Sequence, residues 1–424
     1  SPYDGKVHDG YMFTDNGFWD TFRAVHPFFT LICPSMTAKI MQSLVAASEQ
    51  SGFLPQWASP GHRDCMIGNN ACALIADAYV KGIRNFDVQK ALAAMVKDAG
   101  QQHSRMRSVG RLGWKEYDSL GYVPCDKYNE ATARTLEYAF DDFCIAEVAE
   151  GIGNKDIAEK FYKKSYNYKN VFDPEVGWMR GRNADGTWRA NFDPYEWGGP
   201  FTEGNSLHYT WSVFHNINDL IALMGGKDKF ILKLDSIFSM PLRVNTGSYH
   251  GMIHEMTEMV KGNMGQYAHG NQPIQHMIYL YDHAGVPSKA QYWTREVMNR
   301  LYHPTPQGYC GDEDNGQTSA WYVMSAMGFY PATPGTTQYA MGSPLFKKIT
   351  IHLENGKTFI IEAPQNSNAN VYIGNATYNN KPYTKLYIDY STFMAGGILK
   401  LDMQDNPKGK RIIQKEDLPF SKDK

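Results

Sequence analysis

The sequence predicts a mainly α-helical protein, an (α/α)6 toroid with a small C-terminal antiparallel β module. Three observations predict it. Apolar residues recur at spacings of three and four through the first three quarters of the 424 residues. Long polar, aromatic, Gly/Pro-rich connections separate those segments, as at 53–66, 173–202 and 241–272. From about residue 340 the pattern changes to a period of two.

The helical segments follow in order. The first is 19–32. Residues 35–50 (SMTAKIMQSLVAASEQ) align Met36, Ile40, Leu44 and Ala47 on one face, and Gly52 stops the helix. Residues 71–81 end at Gly82, and 86–98 follow. Residues 127–150 form the longest candidate, closed by Gly151. Segments 154–169, 206–224, 227–239, 273–284, 288–302 and 317–327 complete about a dozen helices. Six hairpins in a ring around a funnel would bury their apolar faces and leave the long loops free for function. A solenoid would need a self-similar period, which is not seen.

The β module begins with ITIHLENGKTFIIEAP (349–364), which alternates around Asn355-Gly356 as a hairpin does. VYIGNATY, KLYIDY and GILKLDM continue the alternation. The expected division is a helical domain at 1–338 with a β-rich segment at 339–424 packed on it. The charged stretch after Asp405 reads as a surface extension.

Composition narrows the function classes. Lys+Arg total 42 against 44 Asp+Glu, so the basic surplus of a nucleic-acid binder is lacking. No apolar run approaches the roughly 18 residues of a membrane span. Hydrophobic residues at 42% and charged residues at 20% suit a large core. The 27 tyrosines and 9 tryptophans suit sugar stacking and core packing equally. The six cysteines form no C-x-x-C pair and are too sparse for a disulfide scaffold, so free thiols are expected.

Three loop clusters hold residues able to do chemistry. In GPFTEGNSLHYTW (199–211), Glu203 stands at the entry of an aromatic-rich helix. It could cap that helix, or serve as a general acid if apolar walls raised its pKa. In CGDEDNGQTSAWY (310–322), an extended backbone would put Asp312 and Asp314 on one side and Glu313 on the other. That pair could share a water or a cation, or form a solvated acidic turn. The segments 247–259 and 265–277 carry His250, His254, His269 and His276, with Glu255 beside His254. They lack H-E-x-x-H, so a zinc-protease reading fails. His269 is a candidate for contact with sugar or ion-bound water. Asn271 and Gln272 offer amide oxygens suited to a hard cation, although Asn271 before Pro273 also suits a cap. With no nucleophile elbow, phosphate loop or dinucleotide fingerprint, separated carboxylates point to glycoside hydrolysis, with Glu203 opposed to Asp312 and Asp314.

Several stretches together resemble glycoside hydrolase family 92. They are TDNGFWDTFRAVHP (14–27), MIGNNACALIADAYVKGI (66–83), TEGNSLHYTW (202–211), IHEMTEM (253–259), GQYAHGNQP (265–273) and GDEDNGQTSAWYVMSAMGFYPATPG (311–335). The resemblance implies a Ca2+-dependent, inverting exo-α-mannosidase acting on mannose-containing oligosaccharides or glycoprotein glycans, in the periplasm or at the cell surface. By motif, Glu203 matches the general acid, Asp314 the general base and Asp312 its neighbour. Asn271 and Gln272, with Asp314, match the calcium region. Asp20, in the Trp19-Asp20 pair, matches a residue that holds sugar hydroxyls. His254-Glu255 resembles the pair associated with α-1,2 linkages. The family also carries an N-terminal β-sandwich domain that shapes the pocket and is missing from this chain. Two further readings stand beside this one: an inverting glucosidase or trehalase-like hydrolase on the same toroid, and a carbohydrate-binding protein without turnover.

Overall fold

A computed structural model describes residues 1–407 and 412–422. Its helices pack in chain order. Val25–Ile32 lies on Pro34–Ser51, which lies on Ala71–Val80; Ala71–Val80 and Val88–Ala99 both pack on Ala131–Gly151, and Lys155–Lys164 packs beyond. Further round, Ile217–Leu223 meets Lys227–Ser239, Leu280–His283 meets Pro287–Leu301, and that helix meets Gln317–Met327. Gln317–Met327 returns against Val25–Ile32, which closes the ring.

Helix burial sorts the two layers. In 131–149 only Glu147 escapes burial, so this helix lies in the inner layer. Lys155–Lys164 buries only Ala158 and Phe161, the narrow stripe of an outer helix. No described helix is long and apolar enough to cross a membrane.

Several predicted helices are broken where polar groups intervene. The 19–32 segment splits into Phe18–Thr21 and Val25–Ile32. The 206–224 segment splits into Ser206–Tyr209 and Ile217–Leu223, because Asn216 caps the second piece by accepting the Asp219 N–H. The 154–169 segment ends at Lys164 and resumes as a 3-10 turn, Asn167–Val171. The 273–284 segment becomes two 3-10 turns and the short helix Leu280–His283. Three described helices escaped the periodicity argument: Trp114–Leu120, His254–Gly262 and Tyr390–Ala395, the last within the stretch read as strands.

The β-rich segment divides between two sheets. Five strands run in the order Lys381–Pro382, Tyr372–Tyr378, Gly397–Gln404, Thr358–Glu362, Lys348–His352. The predicted hairpin is present, with Ile351 opposite Phe359. One pairing, Gly397–Gln404 with Thr358–Glu362, is parallel within this otherwise antiparallel sheet. Tyr387–Asp389 joins a separate sheet with Gln338–Met341 and Phe329–Tyr330. Phe393 ties the two sheets together, its ring 4.5 Å from both Phe329 and Phe359. The large apolar cluster runs without a break from Trp19 to Met403.

Part of the expected surface extension is packed down. Phe420 N–H donates to Gln338 and its carbonyl meets His283 at 3.1 Å, while Asp417 is buried. Residues 408–411 and 423–424 of that stretch lie outside the described residues. All six cysteines are free thiols.

The ring also encloses acids without full pairing. Asp98 is fully buried; one carboxylate oxygen accepts the Leu54 N–H and the other has no partner. Burial pushes its pKa up to about 8. The folded state therefore holds a proton that the unfolded chain, with a carboxyl pKa of about 3.9, releases. This contribution to stability is complete below about pH 4 and is lost as pH rises to about 8. The melting temperature should fall between pH 5 and 8.5, and Asp98→Asn should flatten that slope. A slope unchanged in Asp98→Asn, followed by circular dichroism, would contradict this assignment.

Candidate active site

Loops at one end of the ring bring most of the candidate residues together. Glu203 does not cap the helix behind it. Asn205 does so, accepting the N–H groups of Leu207 and His208 at 3.0 and 3.3 Å, while His208 Nδ1 accepts the Asn205 N–H. Glu203 instead sits in a left-handed conformation, φ 45°. Such a backbone is costly without a glycine and persists where its surroundings over-determine it. Here the Glu203 N–H donates to the Tyr249 hydroxyl at 2.8 Å, and its carbonyl accepts from Asn271 Nδ2 at 2.8 Å. Next door, Thr202 donates to Glu130 while its carbonyl accepts the Tyr209 hydroxyl.

Burial and neighbouring charges act on this side chain. Partial burial, reinforced by the charges of Glu255 and Asp314, pushes the Glu203 carboxyl up to about 7. Asn271 and His254 oppose the shift. Glu203 lines a cavity of about 560 Å³ together with Asp64, Asn129, Glu130, Arg134 and Tyr249.

Asp314 and Asp20 lie within electrostatic reach of it. Asp314 is raised above the ordinary carboxylate range by burial and by the charges of Asp312 and Glu313, against a hydrogen bond from Gln272 Nε2. Asp20 is buried and raised further, by burial first and then by Asp314; Arg23 opposes and Glu203 adds. Its Oδ2 has no partner, which leaves an acceptor for a hydroxyl. Trp19 is 2% exposed, and the Arg23 guanidinium lies 5.1 Å from its ring centre. Trp19 therefore packs in the core and positions its neighbour rather than offering a free stacking face.

The acidic loop is not extended. Asp314, Asn315 and Gly316 are all left-handed, so strict side-to-side alternation fails. Asp312 and Asp314 nevertheless remain electrostatic neighbours. Glu313 turns away, accepting the Gly316 N–H at 2.8 Å and the Ser319 hydroxyl at the start of Gln317–Met327.

His269 departs from its expected sugar contact. Its ring nitrogens lie 3.0 and 2.8 Å from the hydroxyls of Tyr267 and Tyr302, and burial lowers its pKa to about 3. It is a neutral core histidine stacked edge-on to Trp321. His254 behaves oppositely. It is exposed, with Nε2 3.0 Å from Glu255 and Nδ1 3.0 Å from Glu258.

A hard cation finds suitable donors here. Gln272 Oε1 is buried without a partner, beside the Asp314 carboxylate, and oxygen donors of this kind suit Ca2+. Asn271 takes the capping role open to it, its Oδ1 accepting the Gln272 N–H, and its amide nitrogen also donates to the Glu203 carbonyl. The cap and the acid-holding contact thus come from one side chain. Sequence reasoning missed Tyr249, which holds the Glu203 N–H, and Asn205, which caps the helix behind it. Asn205 had a signal, because an Asn just before an apolar helical run is a standard cap.

A carboxyl held near neutrality within electrostatic reach of other acids, on a closed ring of helices, fits one class: the catalytic domain of a glycoside hydrolase. Comparison with known proteins narrows it. Residues 1–405 match the glycosyl hydrolase family 92 catalytic domain, and the chain belongs to that family. A solved family 92 inverting mannosidase from Bacteroides thetaiotaomicron is 55% identical, with a TM-score of 0.92 over 99% of this chain and 57% of its own. A family 92 α-mannosidase from the same bacterium, in complex with mannoimidazole, is 35% identical, with a TM-score of 0.89 over 98% of this chain and 54% of its own. An uncharacterised secreted glycosidase of Arthroderma benhamiae is 28% identical over 79% of this chain and 45% of its own length. The chain thus spans about half the length of these relatives.

Proposed function

We propose that the protein is a calcium-dependent, inverting exo-α-mannosidase that removes terminal mannose from mannose-rich glycans, with α-1,2 linkages favoured. The observation that carries this reading is the Glu203 carboxyl, raised to about 7 by burial and by the charges of Glu255 and Asp314. Glu203 would protonate the departing glycosidic oxygen. Asp314, with Asp312 beside it, would take a proton from water on the opposite face. Asp20 would accept a mannose hydroxyl at its partnerless Oδ2. The His254-Glu255 pair, whose charges both act on Glu203, would contact the leaving sugar.

Gln272 Oε1 and Asp314 would hold the ion. Bound there, Ca2+ supplies a template and a positive charge for sugar hydroxyls. Mannosidase relatives support mannose over glucose, and the raised acid supports turnover over binding alone. The secreted relative supports export to the periplasm or cell surface.

Proton NMR of an α-mannobioside digest tests the reading. The β-anomer of mannose should appear first, and a calcium chelator should lower the rate at least about 100-fold, with recovery on adding Ca2+. First appearance of the α-anomer would refute inversion, and full activity after exhaustive chelation would refute the calcium role.

A further inference from the structure

We propose that Glu130 is a positioning residue for the general acid: it holds the Glu203 loop through the Thr202 hydroxyl rather than by contact with the sugar. The inference rests on Glu203 being the acid, as read above.

Glu130 immediately precedes the inner helix Ala131–Gly151, where an acid ordinarily accepts N–H groups of the first turn. Its side chain caps nothing there, and the residue is left-handed, φ 59°. Both carboxylate oxygens are used elsewhere. One accepts the Thr202 hydroxyl at 2.9 Å, and the other accepts Arg134 Nη2 at 2.7 Å. Arg134 is 6% exposed and also donates from Nε to the Asn129 carbonyl at 3.3 Å. The cation that orients Glu130 is therefore itself fixed. A left-handed backbone without a glycine is costly and persists where its surroundings over-determine it.

The same helix start grips the loop by its main chain. The N–H groups of Glu130 and Ala133 donate to the carbonyls of Gly199 and Pro200 at 2.7 and 3.0 Å. The loop closes on itself where the Gly198 N–H donates to the Gly204 carbonyl at 3.0 Å. On its other side the Gly199 N–H donates to the Ser248 hydroxyl at 2.7 Å, beside Tyr249. Glu203 keeps its left-handed backbone between these two holds. Thr202 carries the helix-side tie to within one residue of the acid, and at 3% exposure its hydroxyl is shielded from competing water. Acid catalysis depends on placing the proton within hydrogen-bond reach of the departing oxygen, so a small displacement of this loop is expensive in rate.

Thr202→Val removes the hydroxyl, keeps the shape and leaves Glu130 in place, so it separates positioning from sugar contact. In the full chain, kcat on a natural α-mannoside should fall about 10–100-fold with KM little changed. An activated aryl mannoside, whose leaving group departs without a proton, should lose less than about threefold. Thr202→Ser, which restores the hydroxyl, should restore turnover, and Glu130→Ala should copy Thr202→Val. Neither loss should add to that of Glu203→Gln, because a misplaced acid and a missing acid are one defect. Hydrogen–deuterium exchange over 198–204 reads the anchor without turnover and should quicken in Thr202→Val and Glu130→Ala. A raised KM with kcat intact, equal loss on both substrates, or unchanged exchange would overturn the proposal. A Glu203→Gln control that loses both substrates equally would instead overturn the acid reading, and this proposal with it.

Discussion

Glu203→Gln is expected to lower turnover of a natural α-mannoside by about 10²–10⁴-fold, the usual contribution of a positioned general acid. The same variant should lose less than about tenfold on an aryl mannoside whose leaving group departs without a proton. The amide preserves shape and removes only the transferable proton, so the contrast isolates acid catalysis from binding. Tyr249 and Asn271 would still hold the backbone of residue 203, because their hydrogen bonds run to its N–H and carbonyl. Equal loss on both substrates would instead assign Glu203 to sugar binding. The wild-type pH profile carries the same information. With its carboxyl raised to about 7, Glu203 is protonated below that pH and ionised above it. Turnover of natural substrate should therefore fall as pH rises through about 7, and that limb should vanish in Glu203→Gln measured on the aryl mannoside.

Asp142→Ala is expected to cost about 3–5 kcal/mol of folding stability, the usual result of breaking a buried ion pair on one side. Arg111 Nη1 donates to Asp142 at 2.6 Å, and both side chains are fully buried. Tyr117 donates its hydroxyl to the other carboxylate oxygen at 2.8 Å. Arg111 Nε and Nη2 already lack partners, so losing Asp142 removes the guanidinium's ion pair and leaves it between Tyr117 and Tyr138 with only the charge of Asp141 nearby. Denaturant unfolding measures the cost, and a loss below about 1 kcal/mol would mean that water or another acid reaches Arg111. Because the residue sits on the inner helix Ala131–Gly151, the effect should appear as global unfolding rather than altered kinetics.

These two residues show different depths of legibility in the sequence. Glu203 lies in a loop motif between Thr202 and Gly204, and its neighbours are aromatic, so its candidacy could be read locally. Asp142 sits inside the run that reads simply as the longest helix. Its partner Arg111 is 31 positions away, and nothing local distinguishes it from a surface acid. The same holds for Asp98 and its contact with Leu54.

Helical segments closed by a glycine survive almost unchanged, as in Pro34–Ser51 before Gly52, Ala71–Val80 before Gly82 and Gln317–Met327 before Gly328. The failures fall where side chains compete with the backbone. Asn216 starts a new helix inside a predicted one, and the 273–284 segment tightens into 3-10 turns around buried Gln272 and Gln275. The His254–Gly262 helix was hidden because its outward residues are charged and its apolar stripe rests on a few methionines.

Local periodicity determined the alternating helical character and the late change to strands, because these depend on neighbours within one or two turns, and the loop motifs supplied the candidate acids. Only the tertiary structure decided which acids lie within reach of one another. It closed the ring by laying Gln317–Met327 on Val25–Ile32, turned Glu313 away, buried His269 among tyrosines and placed Asn271 on Glu203. A carboxyl's pKa, and so its role, depends on burial and on charges from distant segments. Those quantities exist only once the chain has folded.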